Sequence, residues 1–401
     1  MTSADGTYQV GVLIRNDWDL TVFKRTVATD RIDSTFNLGT VPALVTYGIT
    51  PILSDALGGD DHWAAACAID SQNRTWVAGN SLSTTPHLIM SDPDVINSWT
   101  TFTFPYPGWG STGENTGTYN NFQRLADGRL VYFLSQRDVG GAPTGIDFLG
   151  YILPATSTTT WQPLTPNAPN PGEFFTTEPA SGPERVYLIG TYVEGANSAH
   201  PGRFWAAGVF RFTWTDGATQ HEPFIIYNDT VATDTTWKRI DGTAQAMPIS
   251  YANVTGTSAI IPEPPTAPYW FANFQISVDW SGHPHLICAH GSASEHVWHD
   301  GTAWQNEVTG SSSFAPSPFN LRGGQTMMSR VPAGQVRISK TNPGNPSFLC
   351  GPLVDAATGS GFVQAYADPI QMREGIWHAM IPDGDTPTVC TFGDHHRAFA
   401  S

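Results

Sequence analysis

The sequence predicts an all-β fold. Three observations carry this: 39 Gly and 31 Pro punctuate the 401 residues, charged residues make up only 13%, and aromatics reach 12% with 14 Trp. Gly and Pro interrupt helices, whereas aromatic and β-branched side chains suit the half-buried surface of a strand. The same apolar content offsets the ordering entropy of a large core, which excludes a disordered chain.

Alternating strand patterns run through Tyr8–Ile14, Arg129–Leu134, Arg185–Ile189 and Val331–Ile338, and helical periodicity is nearly absent. Asp-Gly pairs begin at Asp5, Asp127, Asp216, Asp241, Asp300 and Asp383, each offering the positive φ of a tight hairpin. A turn rich in Asp, Asn or Gly, followed by an apolar strand, recurs from Asp70, Asp127, Gly182, Asp279 and Gly334. Neighbouring copies stand about 50 to 60 residues apart, with room for two units between 182 and 279, which makes about seven units. Units of that length fit four-stranded blades with long connections, so the expected architecture is one β-propeller domain over residues 1–401. A pair of β-sandwiches is the competing arrangement. Ring closure favours the propeller, with Tyr8–Ile14 and Thr386–Phe392 sharing a final blade and shielding its edges.

The formal charge of −16 and the presence of only three lysines, Lys24, Lys238 and Lys340, exclude a phosphate backbone as partner. The strongest apolar run, Trp63–Ile69, is strand-sized, far short of a membrane span. The N-terminus lacks the basic and apolar segments of a secretory signal, so an intracellular site or release inside a virus particle is expected. Cys67, Cys288, Cys350 and Cys390 have no CxxC spacing and read as small core residues. No Gly-rich phosphate loop, GxSxG or HExxH motif is present.

Three segments carry a resemblance: Gly59-Asp-Asp-His62-Trp, Ala68 through Asn80, and Gly117-Thr-Tyr119 through Arg137-Asp. They are similar to the opening blades of bacterial-neuraminidase-repeat propellers, the group that includes the ulvan lyases. Val278-Asp-Trp-Ser-Gly-His-Pro-His-Leu and His299-Asp-Gly-Thr-Ala-Trp304 resemble later blades. Related propellers occur as minor tail proteins of phages that infect actinobacteria. In lyase members the resemblance implies β-elimination at a uronic acid, with His62, Tyr119 and Arg137 at the matching positions. Tyr119 or His62 would transfer the proton and Arg137 would meet the carboxylate, since such chemistry needs donors and positive charge at one point. The second histidine of the group is replaced here by Leu82, with His87 further along the loop, and its Tyr-Pro is Tyr119-Asn120. Asn80 and His87 are therefore assigned to glycan binding.

A histidine-rich stretch holds His283, His285, Cys288, His290, His296 and His299. Cys288 and His290, two apart on a strand, project to one face and suit a tetrahedral ion, with His296 or His299 as a further ligand. No cofactor is required; a structural zinc or calcium is the group this cluster admits. The expected function is a virion minor tail protein that contacts host surface polysaccharide or other tail proteins, as a homo-oligomer. The alternative is a polysaccharide lyase acting on a uronate-containing polymer.

Overall fold

The computed structural model describes residues 1, 3–14, 20–29, 31–39, 64–80, 88–102, 115–138, 146–155, 160–168, 171–176, 185–195, 198–211, 220–231, 236–262, 272–279, 281–290, 293–311, 317–321, 325–330, 335–342, 345–355, 364–366, 376–383 and 386–393. These form seven antiparallel sheets, each from consecutive segments, and one short helix, Tyr251–Val254 (α1). The first sheet holds Tyr8–Ile14 (β1), Leu20–Thr26 (β2) and Arg31–Gly39 (β3). The second holds Ala64–Ile69 (β4), Thr75–Asn80 (β5), Leu88–Ser91 (β6) and Trp99–Phe102 (β7). The third holds Asn115–Arg124 (β8), Leu130–Asp138 (β9) and Ile146–Leu153 (β10), with Gln162–Pro163 (β11) and Glu173–Thr176 (β12) both on β10.

The fourth sheet is Arg185–Val193 (β13), Phe204–Arg211 (β14), Gln220–Asn228 (β15), Trp237–Lys238 (β16) and Ala244–Gln245 (β17). Ala272–Val278 (β18), Pro284–His290 (β19), Ala293–His299 (β20) and Trp304–Ser311 (β21) make the fifth. Ser317–Leu321 (β22), Gln325–Arg330 (β23), Gln335–Asn342 (β24) and Asn345–Asp355 (β25) make the sixth, and Gln364–Tyr366 (β26), Ile376–Asp383 (β27) and Thr386–Gly393 (β28) the seventh.

Contacts divide the chain into two compact units, Met1–Ser181 with Met247–Ser250, and Gly182–Ala246 with Tyr251–Ser401. In the first, β1 lies beside β4 and β4 beside β8; in the second, β13 lies beside β18, β18 beside β22 and β22 beside β26. Leading strands thus stand side by side from sheet to sheet within each unit, the arrangement that radial blades require.

Neighbouring sheets pack face to face. Along β5, Trp76 and Ala78 join Phe122, Leu130, Tyr132 and Trp161 of the third-sheet core, whereas Val77 joins Val10, Val22 and Ile89 on the other side. All three β5 residues are fully buried, so the strand is apolar on both faces and charge is scarce in the sequence. In the second unit Trp205, Ala207, Val209 and Ile225 meet Ile276, Val278, Leu286 and Val297 in the same manner.

Three expectations are corrected. The segment 182–279 yields one five-stranded sheet and a connection containing α1, in place of two units; the first sheet supplies the remaining one. The phrases from Gly182 and Gly334 lead into β13 and β24, whereas those at Asp70, Asp127 and Asp279 join first to second strands. Sheets hold three to five strands among the described residues, in place of four throughout.

Candidate functional site

One hairpin design recurs where the leading strand of a sheet turns into the second. At Asp70–Arg74, Leu125–Arg129 and Asp279–His283 the first residue donates its N–H to the carbonyl of the fifth and accepts from the N–H of the fourth. The fourth residue, Asn73, Gly128 or Gly282, has φ of 59°, 87° or 85°. This is a three-residue loop closed by a left-handed residue, which is why Gly or Asn stands there. The Asp-Gly expectation holds at Gly6, Gly128, Gly242 and Gly301, all at positive φ, while Gly217 and Gly384 lie outside the described residues.

These turns fix which ends of the sheets coincide. A Cβ on Gly128 would stand 2.7 Å from that of Ser71, so the β4–β5 and β8–β9 turns meet. Ala4 N–H donates to Asn73 Oδ1 at 2.9 Å, bringing the turn before β1 to the same end. The opposite ends of β5 and β9 therefore also share a side, and these carry Asn80 and Arg137. Asn80 pairs with Ala64, the first residue of β4, and Arg137 pairs with Thr116 on β8. Tyr119 lies in a β-bulge, since the register shifts between Thr118↔Ser135 and Asn121↔Phe133. Along β8 it stands three residues from Thr116, roughly 10 Å of strand. The structure thus brings the backbones of Asn80 and Arg137 to one end of two adjoining sheets, with Tyr119 midway along β8; His62 and His87 lie outside the described residues.

The bulge is anchored from within. The Tyr132 hydroxyl donates to Asn120 Oδ1, both buried, and the Tyr132 ring stacks on Phe122 at 4.5 Å. Burial, then Tyr151 beside it, pushes the Tyr132 phenol far above its ordinary range, so it remains a donor. A bulge inserts an extra residue and re-aims the chain, a device found next to active sites.

The histidine-rich sheet does not assemble the expected metal ligands. His290 pairs with Ala293 at the β19–β20 turn, whereas His299 ends β20, six residues or roughly 20 Å further along the strand. One ion cannot bridge that distance, and His296, the register partner of Ile287, belongs to the opposite face from Cys288 and His290, so neither His299 nor His296 completes a single centre with them. His299 instead accepts the Gly301 N–H on Nδ1 at 3.1 Å and sits edge-on to Trp304. Among the described residues no group of three or more His, Cys, Asp or Glu has metal-holding geometry.

What sequence reasoning missed is a repeated buried clasp. Asp70 Oδ2 accepts the Trp76 indole N–H at 2.9 Å, and Glu194 Oε1 accepts that of Trp205 at 2.7 Å. Asp279 occupies the equivalent place in the fifth sheet, its Oδ2 at 3.4 Å from His283 Nδ1 and 3.6 Å from His285 Nε2. The offsets were visible beforehand: Arg74 and Trp76 follow Asp70 by four and six residues, as His283 and His285 follow Asp279. Burial acts to raise the Asp279 carboxyl, but the two imidazoles beside it and the His283 N–H, which donates to Oδ1 at 2.8 Å, hold it well below the carboxylate range.

Glu194 behaves in the opposite way. Burial raises its carboxyl against the donors Ser198 and Trp205, so folding disfavours its ionised form, and its contribution to stability falls as pH rises from 4.5 through the folded value. Glu194→Gln retains an acceptor for Trp205 and carries no charge. The expected result is a urea midpoint at pH 8 equal to or above that of the parent; a clear fall would show that the charge itself is needed.

Neither a family model nor a curated protein sequence matches the chain. Solved structures do. Polysaccharide lyase Uly1 is 15% identical with a TM-score of 0.66, covering 96% of this chain and 87% of its own. An ulvan lyase of polysaccharide lyase family PL25, bound to -[GlcA(1-4)Rha3S]-, is 11% identical with a TM-score of 0.68, covering 98% and 93%. The BP39L lectin from Burkholderia pseudomallei is 13% identical with a TM-score of 0.52, covering 97% and 93%. At such identities the likeness speaks to architecture alone, and together with the repeated antiparallel sheets it makes this chain an all-β protein of the β-propeller fold.

Proposed function

We propose that this protein is a polysaccharide-recognising propeller whose ligand meets the second and third sheets from the end that carries Asn80 and Arg137, toward the bulge at Tyr119. The observation behind this reading is the anchored bulge at Tyr119–Asn120, across paired strands from Arg137. A phenol, an amide and a guanidinium carried by these two sheets would supply donors and a positive charge in a chain of net charge −16, which suits an acidic sugar over a nucleic acid. Two structural neighbours being polysaccharide lyases, one holding -[GlcA(1-4)Rha3S]-, supports the ligand class. The setting we favour is a virion, where a minor tail protein of this kind would contact host surface glycan or other tail proteins; the sequence resemblance supports it.

A second reading is β-elimination at a uronic acid, with Tyr119 or His62 moving the proton and Arg137 meeting the carboxylate, and the lyase neighbours favour it. One experiment separates the two. Parent protein, Tyr119→Phe and Arg137→Ala are incubated with acidic and neutral bacterial and algal polysaccharides, following retention on the polymer and unsaturated-uronate absorbance. Retention of the parent, weakened tenfold or more by Arg137→Ala, is the expected result for a lost charge-assisted hydrogen bond. Absorbance that rises for the parent and not for Tyr119→Phe would assign a lyase. Failure of every polymer to retain the parent would overturn the polysaccharide reading, and absence of the protein from purified virions would overturn the tail setting.

A further inference from the structure

A second polar arrangement lies in the fifth sheet. Leu286 and Val297 face the core shared with the fourth sheet, so by strand alternation His285, His296 and Trp298 occupy the other face. His285 is 4% exposed and His296 0%. His285 Nδ1 lies 2.9 Å from His296 Nε2, the two rings are within 10° of parallel, and His296 stacks on Trp298 at 4.6 Å. At that separation one nitrogen donates and the other accepts, so the contact holds a single proton. Protonating both imidazoles would set two N–H groups head to head, with no water between them.

Among the described residues the surrounding titratable groups are these. Asp279 and His283 stand on the β18–β19 turn, Asp279 Oδ2 being 3.6 Å from His285 Nε2. Glu307 on β21 is the register partner of His296; Glu295 and His299 share β20, and Cys288 and His290 share β19. Neither β18 nor β22, which lies beside β19, contains a titratable residue.

We propose that the His285–His296 pair is an acid-sensitive latch: it ties β19 to β20 while one proton is shared between the rings, and it releases them when both rings must carry a proton. The unfolded chain takes two protons at these positions below the ordinary histidine range, while the folded latch admits at most one. For a one-proton difference the folding equilibrium constant falls about tenfold per pH unit. The sign follows from the neighbours. Burial, then His285, holds His296 well below 6.5, so its contribution is present above that pH and is lost as pH falls. His283, raised by Asp279, acts oppositely, contributing fully below 6.5 and losing that contribution as pH rises. Asp279, lowered from 3.8, withdraws its contribution only below that pH. The latch acts between about pH 4 and 6.5; His299, lowered from 6.5 by burial and then by His283, and Glu194, raised from 4.5, titrate there as well, but in parent and variant alike, so the difference between the two reports the latch.

The test is urea unfolding of the parent and His296→Gln at pH 7.5, 6.5, 5.5 and 4.5. The Gln amide does not titrate and can present either its nitrogen or its oxygen to His285 Nδ1. The parent is expected to lose stability more steeply than the variant between pH 6.5 and 4.5, by about tenfold per pH unit in the equilibrium constant. Equal slopes would overturn the latch. Nitrogen NMR of histidine-labelled parent decides independently if the variant does not fold: a shared N–H···N signal persisting to pH 5 supports the latch, and two rings protonating separately near pH 6.5 overturn it.

Discussion

Asp70→Ala is expected to lower stability by about 3–5 kcal/mol, the range for removing one partner of a buried ion pair. The side chain is only 3% exposed. Its Oδ1 accepts the Gln72 N–H at 2.9 Å and the Arg74 N–H at 3.0 Å, and its Oδ2 accepts Arg74 Nε–H at 2.7 Å and the Trp76 indole at 2.9 Å. Arg74 Nη2 adds a contact at 2.6 Å. Alanine would remove the carboxylate that pairs with a buried guanidinium and loosen the turn against which Gly128 packs. Asp70→Asn keeps an acceptor for the turn and gives up the charge, so its loss should be smaller. Urea unfolding with a spectroscopic readout ranks parent, Asn and Ala in that order; an Ala variant within about 1 kcal/mol of the parent would mean that the pair contributes little beyond its desolvation cost.

The second large effect is expected at Trp205→Ala, again about 3–5 kcal/mol, the range for truncating a buried aromatic side chain. The indole is 1% exposed and packs with Tyr227 at 4.9 Å, within the cluster that joins Ile225 to Val278. Its N–H supplies the 2.7 Å bond to Glu194, which Ala and Phe both delete. Trp205→Phe isolates that bond, because most of the apolar volume remains, and a loss of about 1–3 kcal/mol follows from a buried acceptor deprived of its donor. Should Phe cost as much as Ala in thermal unfolding, the hydrogen bond rather than the packing would dominate.

The fold was legible because its signals are local. Tyr8–Ile14 alternates, and it is β1; the run ending at Ile69 is apolar, and Ala64–Ile69 forms β4. The Asp-Gly pairs encode positive φ, which needs no tertiary context. Counting units from 182 to 279 failed because spacing treats every turn alike, whereas Gly334 leads into a third strand and Asp70 into a second. The metal set failed for a related reason. The two-residue offset fixes the face of Cys288 and His290, but only the register of β19 against β20 decides that His299 stands at the far end. For the candidate site, Asn80, Tyr119 and Arg137 were named from the motif, and the common end of Asn80 and Arg137 became visible only through Gly128 against Ser71.

The acid and the ring N–H of each clasp are six residues apart in Asp70 and Trp76 and eleven apart in Glu194 and Trp205. The third sheet forms the same turn with Leu125 in the acid's place, and there Val131 stands in the ring's place, both buried. Changing one member alone leaves either a buried carboxylate without its donor or an indole without its acceptor, and both are costly. The two positions are therefore epistatic. Where the indole is absent the acid either changes with it, as at Leu125 and Val131, or finds other donors, as Asp279 does in the His283 N–H.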